Sequence, residues 1–111
     1  MNERDAVYVA HILDAAKRAL AYTRDLTEDQ FRERQIVQDA SIRQLEVIGE
    51  AAKLVSSETR ARYPQIPWRV MAGMRDRLIH GYFGVDLSAV WKTCTSDVPN
   101  LIKQLDKVRD A

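Results

Sequence analysis

Residues Asp86–Val108 read DLSAVWKTCTSDVPNLIKQLDKV. Within them Leu87, Trp91, Cys94, Val98, Leu101, Leu105 and Val108 recur at alternating steps of four and three. An α-helix returns to one face at that interval, so these side chains line a single seam. A half-buried strand would instead alternate every second residue. Such a seam is stable only when covered, and the economical cover is more helix. Asp86 stands where an N-cap is needed. Pro99 falls inside the seam and removes one backbone donor, so a kink is expected near Thr95–Val98.

The rest of the chain repeats the helical period. From Asp5 to about Tyr22, Tyr8, Ile12, Ala15, Ala16, Ala19 and Leu20 recur at three- and four-residue steps. After the polar break TRDL, Thr27 and Gln30 have the spacing of a capping box. A helix is expected from about Phe31 to Val55, continuous or in two pieces. Val37, Ala40, Gln44, Val47, Ile48, Ala51 and Val55 form its stripe, widened by Ile42, Leu45 and Ala52. A stripe so wide predicts a central helix with neighbours on two sides. The segment SSETRARYPQIP (Ser56–Pro67) reads as a connection bounded by Pro64 and Pro67. The next helix opens at about Pro67, runs to His80 and stops at Gly81, where GYFG makes a tight turn. The expected fold is all-α: an antiparallel up-and-down bundle of four to five helices, residues 1–111 forming one domain.

Composition narrows the function classes. The chain has 111 residues, of which 46% are apolar and 30% charged, as in ordinary globular proteins. Seventeen basic against sixteen acidic side chains leave a net charge of +1, so any site for a polyanion must be local. The single cysteine, Cys94, has no partner for an internal disulfide. It sits on the apolar seam without an activating neighbour and reads as packing. The apolar runs are far shorter than the ~20 residues that span a bilayer, and the start MNERDAVYVA has no apolar leader core. A cytoplasmic chain with no membrane role is expected.

The helix ending at His80 has an unusual second face. At 100° per residue, Val70, Met71, Met74 and Leu78 make an apolar stripe expected to face the core. Arg69, Ala72, Gly73, Asp76 and His80 fall on the opposite side. Ala72 and Gly73 leave that side thin, open to close approach by a second protomer or a ligand. Asp76 and His80 are one turn apart, near enough to hydrogen-bond. Arg75 lies between the two strips, about 140° from His80 on a straight helix. A plain packing groove with a solvated Asp–His pair is the bland alternative.

The chemistry of this set is suggestive. Guanidinium matches phosphate oxygens, and imidazole exchanges protons near neutral pH. Phosphodiester cleavage without a metal needs those two services. Between Lys53 and Tyr82 stand six basic residues, Lys53, Arg60, Arg62, Arg69, Arg75 and Arg77, against Glu58 and Asp76. That local excess fits an RNA-phosphate partner, with Arg69 and Arg77 as candidate contacts. Metal ligation finds little support: His11 and His80 are the only histidines, and His11 reads as a helix-surface residue. Glu46 and Glu50 are spaced to share a divalent ion, but with Arg43 and Lys53 beside them they read better as a salt-bridged face. No cofactor is expected.

Arg75–Tyr82, RDRLIHGY, is an Arg-x4-His-x-Tyr pattern. With IGEAAK (Ile48–Lys53), the approach IPWRVMAGMRDRLIHGYFGVD (Ile66–Asp86) and Val90–Trp91, the chain resembles the HepT-like toxin family of the HEPN superfamily. The resemblance implies a homodimer in which two Arg-x4-His helices meet in a cleft and form a metal-independent ribonuclease site. It carries Arg75 and His80 over as the catalytic pair and Asp76, at a position that is often Asn, as a supporting residue. It makes Tyr82 the acceptor of AMP from a minimal nucleotidyltransferase antitoxin. Glu50 falls in the family's IGEA segment without an assigned role. A second reading keeps the helical dimer but makes it a non-catalytic module that binds protein or nucleotide.

Overall fold

The computed structural model describes residues 1–81 and 84–109. The described residues form α1 (Glu3–Thr23), α2 (Glu28–Arg32), α3 (Gln35–Leu54), α4 (Ser57–Arg62), α5 (Trp68–His80), α6 (Leu87–Lys92) and α7 (Val98–Arg109), and they contain no strand. A π-helical stretch, Thr93–Asp97, joins α6 to α7 without a break, so Leu87–Arg109 is one long rod. The all-helical expectation therefore holds. Counting that rod once, there are four long helices and two short ones, α2 and α4, against an expected four to five.

Local sequence explains several of the boundaries. The Asn2 side chain caps α1 by accepting from the Asp5 amide. Thr27 and Gln30 form the expected capping box, which makes Glu28–Arg32 a helix of its own and starts α3 later, at Gln35. Ser56 caps α4, so part of the expected connection is helical. Asp86 accepts from the Ala89 amide and opens α6. The kink signal at Pro99 appears as the π stretch, where the Val98 amide donates to the Thr93 carbonyl five residues back. The widened turn gives the Pro99 ring room beside the carbonyl it would otherwise strike.

The core lies where α1, α3 and α7 meet. Val9, Ile12, Leu13, Ala15, Ala16 and Ala19 of α1 pack with Leu45, Ile48, Ala51 and Ala52 of α3 and with Val98, Leu101, Leu105 and Val108. Val90 and Cys94 continue the α7 seam as expected. Burial pushes the Cys94 thiol up to about 12, which makes it an unreactive packing group. Phe31 is fully buried and meets the Trp91 ring at 5.4 Å, fixing α2 on α6.

α5 packs chiefly on α3. Met71 is buried and Met74 and Leu78 pack against the core as expected, but Val70 at the edge of that stripe is 66% exposed. The closest approach to α3 runs through Met71 and Arg75. Gly49 of α3 makes this possible: a Cβ there would lie 2.1 Å from Arg75 Cβ and 2.6 Å from the Met71 carbonyl oxygen. The two helices touch backbone to backbone, which turns Val70 outward. With Met74 and Arg77, Val70 lines a groove of about 530 Å³ between α5 and α7.

Asp5 ties the two ends of this scaffold together. It is 2% exposed and accepts from the Ser56 amide (3.0 Å), the Ser56 hydroxyl (2.6 Å) and the Thr59 hydroxyl (2.6 Å). Burial pushes the carboxyl up, but the hydrogen bonds from Ser56 and Thr59 outweigh it and hold the group below its ordinary 3.8. The folded state thus binds this proton less readily than the unfolded chain, so its contribution is present above pH 4 or so and is lost as pH falls below that. Asp5→Ala is expected to cost about 3 kcal/mol, because the buried Thr59 hydroxyl and the half-buried Ser56 hydroxyl and amide lose their acceptor. Thermal melts at pH 7 and pH 3 check both points: the gap between wild type and variant should be wide at pH 7 and narrower at pH 3, where only its ionisation-linked part is lost.

Candidate active site

Two sequence features, the IGEAAK segment and the start of the Arg-x4-His motif, meet at the α3–α5 contact. IGEAAK places Gly49, Glu50 and Lys53 on the side of α3 that receives α5. The close approach at Gly49 brings Arg75 into reach of Glu50, with Nη2 3.0 Å from Oε2. Arg75 Nη1 also donates to Asp76 Oδ1 at 3.0 Å. The same oxygen accepts from Lys53 Nζ at 3.0 Å. Four charged side chains from two helices therefore make one alternating chain: Glu50, Arg75, Asp76, Lys53. Hydrogen bonds from Lys53 and then Arg75 hold the Asp76 carboxyl below its usual range.

His80 closes α5 on an exposed edge. Its Nδ1 lies 2.7 Å from the Asp76 backbone oxygen. A carbonyl only accepts, so Nδ1 carries the proton in this bond. In the neutral ring Nε2 then holds the free lone pair. Asp76 thus bridges the expected pair, its carboxylate to Arg75 and its peptide oxygen to His80. The carboxylate does not reach the imidazole, although the one-turn spacing allowed it; Lys53 and Arg75 hold it toward α3.

The other candidates are spread more widely. Arg69 is exposed at the start of α5, where it lines a shallow depression with Arg60; at 1.5 Å per residue it stands roughly 16 Å from His80 along the axis. Arg77 lines the α5–α7 groove beside Met74, and the structure does not bring it to the Arg75 cluster. Tyr82 lies outside the described residues. His11 is exposed, as expected of a surface residue, at the rim of a second groove of about 420 Å³ that also exposes Arg75. Among the described residues no group of three His, Cys, Asp or Glu side chains could hold a metal ion. Among them, too, no helix is long and apolar enough to cross a membrane.

Sequence reasoning did not find the role of Gly49 or the Lys53–Asp76 contact. Both lie on a second helix, 23 and 26 positions away from their partners Asp76 and Arg75. The available signal was the Gly-Glu-x-x-Lys spacing, which puts a gap, an anion and a cation within one helical turn.

The chain as a whole is similar to known proteins. The family model described as ribonuclease HepT-like matches residues 12–108. A protein of Thermococcus cleftensis named "Probable ribonuclease HepT" is 42% identical over 102 residues, covering 92% of this chain and 93% of that protein. A Methanocaldococcus jannaschii protein named "Putative RNase" is 36% identical over 109 residues, covering 97% of this chain and all of that protein. A longer protein of the same organism, named "Gamma-glutamylcyclotransferase and putative RNase", is 43% identical over 110 residues; the chain spans half its length. No solved structure gives a significant match. The match over residues 12–108 and the two full-length relatives place this chain in the ribonuclease HepT-like family.

Proposed function

We propose that the chain is a metal-independent endoribonuclease, the toxin of a toxin–antitoxin pair, that cuts RNA with Arg75 and His80. The observation that carries this reading is the double use of Asp76, which fixes the guanidinium with its carboxylate and the imidazole with its carbonyl. His80 Nε2 takes the proton of a ribose 2′-hydroxyl. The 2′-oxygen attacks phosphorus, the bond to the 5′-oxygen breaks, and an imidazolium returns a proton to that leaving oxygen. Arg75 leaves Glu50 and binds the phosphate oxygens, whose charge grows in the transition state. The products are a 2′,3′-cyclic phosphate and a 5′-hydroxyl end.

The same reading makes the working unit a homodimer. The thin strip at Ala72 and Gly73 allows a second α5 to approach, so that two copies of the pair share one cleft. A minimal nucleotidyltransferase antitoxin would silence the site by transferring AMP to Tyr82, two positions beyond His80, in the cytoplasm where both proteins act. One observation favours a non-catalytic binding module instead: Arg75 carries two carboxylates, Glu50 and Asp76.

Purified protein incubated with single-stranded RNA in EDTA separates the two. Cleavage that leaves 2′,3′-cyclic phosphate ends is expected. Intact RNA in EDTA that is cut when magnesium is restored, or products with 5′-phosphate ends, would overturn the proposed route. RNA that binds and stays whole in both buffers would favour the binding module.

A further inference from the structure

We infer that Lys53 is the counter-cation that makes Asp76 compatible with a phosphate-binding Arg75, and so acts on the substrate through Asp76 as a positioning residue. The inference rests on the ribonuclease reading above. Asp76 places a full negative charge one residue from Arg75, on the same guanidinium that must accept an anion. Glu50 adds a second. With Arg75 alone this cluster is net negative, and phosphate is repelled. Lys53 donates to the Asp76 oxygen that Arg75 also uses, at 3.0 Å in each case, and restores neutrality. Once phosphate displaces Glu50 from Arg75, the Lys53–Asp76 pair keeps the guanidinium from being claimed by the remaining carboxylate.

Geometry also sets Lys53 apart from an ordinary surface cation. It reaches across from α3 to α5, over 23 positions of sequence, at the level where Gly49 brings the helices together. Its side chain is 41% exposed and that of Asp76 46% exposed, so the bond itself contributes little to stability. Loss of Lys53 should therefore act on the substrate step and leave the fold intact.

The test is a double-mutant cycle of Lys53→Gln and Asp76→Asn in the full chain. Two readouts are taken: kcat and KM for RNA cleavage in EDTA, and the Kd for a fully 2′-O-methylated oligonucleotide, which cannot form the cyclic product. Lys53→Gln alone is expected to weaken binding and kcat/KM about tenfold, as one uncompensated charge near a phosphate would. In the Asp76→Asn background the same substitution should cost less than about threefold, because no carboxylate is left to neutralise. Lys53→Arg should behave like wild type, and melting temperatures should stay together. Equal penalties in the two backgrounds would overturn the inference and make Lys53 a direct phosphate contact; no penalty in either would also overturn it. If the modified RNA shows the coupling while ordinary RNA stays whole, the cleavage reading fails and the role of Lys53 stands.

Discussion

Arg75→Ala and His80→Ala are each expected to lower RNA cleavage by a factor on the order of 10² to 10⁴, with the double variant little worse than the weaker single. In the proposed mechanism the two groups serve one transition state, so removing either would leave the other without a reaction to assist. The structure makes these clean substitutions. His80 is exposed at the end of α5, and among the described residues its ring is held by the peptide oxygen of Asp76. Arg75→Ala keeps the Cβ that touches Gly49 and frees Glu50, whose side chain is 53% exposed and readily solvated. Melting temperatures should therefore move little, and lost activity can be read as lost chemistry. Arg75→Lys sharpens the point. It keeps the charge but not the planar fork that matches two phosphate oxygens, and it should recover only part of the rate. Initial rates on a labelled RNA in EDTA, with thermal melts alongside, are the measurement. Wild-type rates in either alanine variant would remove Arg75 and His80 from the reaction.

The fold was legible because apolar spacing is a property of each helix alone. The α7 seam of Val98, Leu101, Leu105 and Val108, the caps at Thr27 and Asp86, and the stop at Gly81 are all set by neighbours in sequence. What failed was the edge of the α5 stripe, at Val70. Hydrophobicity assigned Val70 to the core, yet a cationic residue, Arg75, occupies the packing line, and Val70 is exposed. Apolar periodicity cannot register that shift of the packing line toward Arg75, because the close approach depends on an absent side chain on another helix. The site shows the same division. The Arg-x4-His spacing singled out Arg75 and His80 as candidates, whereas their link through Asp76 needed backbone geometry, and the Glu50 and Lys53 contacts needed α3 in place. Asp5 was hidden for a related reason: near a chain start an aspartate reads as solvated, and only the fold brings Ser56 and Thr59 to it.

Gly49→Ala should damage both fold and activity, and the order of the two effects is informative. In an isolated helix the change would gain up to about 1 kcal/mol, since alanine is the better helix former. Here the new Cβ meets Arg75 Cβ at 2.1 Å and the Met71 carbonyl oxygen at 2.6 Å. Both are anchored to the α5 backbone, so no rotamer change relieves the overlap and α5 must move away from α3. Overpacking of this kind costs about 1–3 kcal/mol and here acts on a full helix contact, so a net loss of roughly 1–2 kcal/mol is expected after the propensity gain. A shift of an ångström or so would also stretch the 3.0 Å contacts of Arg75 with Glu50 and of Lys53 with Asp76. Cleavage should thus fall by more than tenfold even at temperatures where the variant is fully folded, because reacting groups tolerate little displacement. Gly73 offers the contrast: a Cβ there finds nothing closer than Arg77 Nη1 at 3.6 Å, so alanine fits within the chain. Denaturant melts and cleavage rates measured on both variants at 20 °C decide it. If Gly49→Ala proves as stable and as active as wild type, α5 does not rest on α3 backbone to backbone, and the charged chain from Glu50 to Lys53 loses its cause.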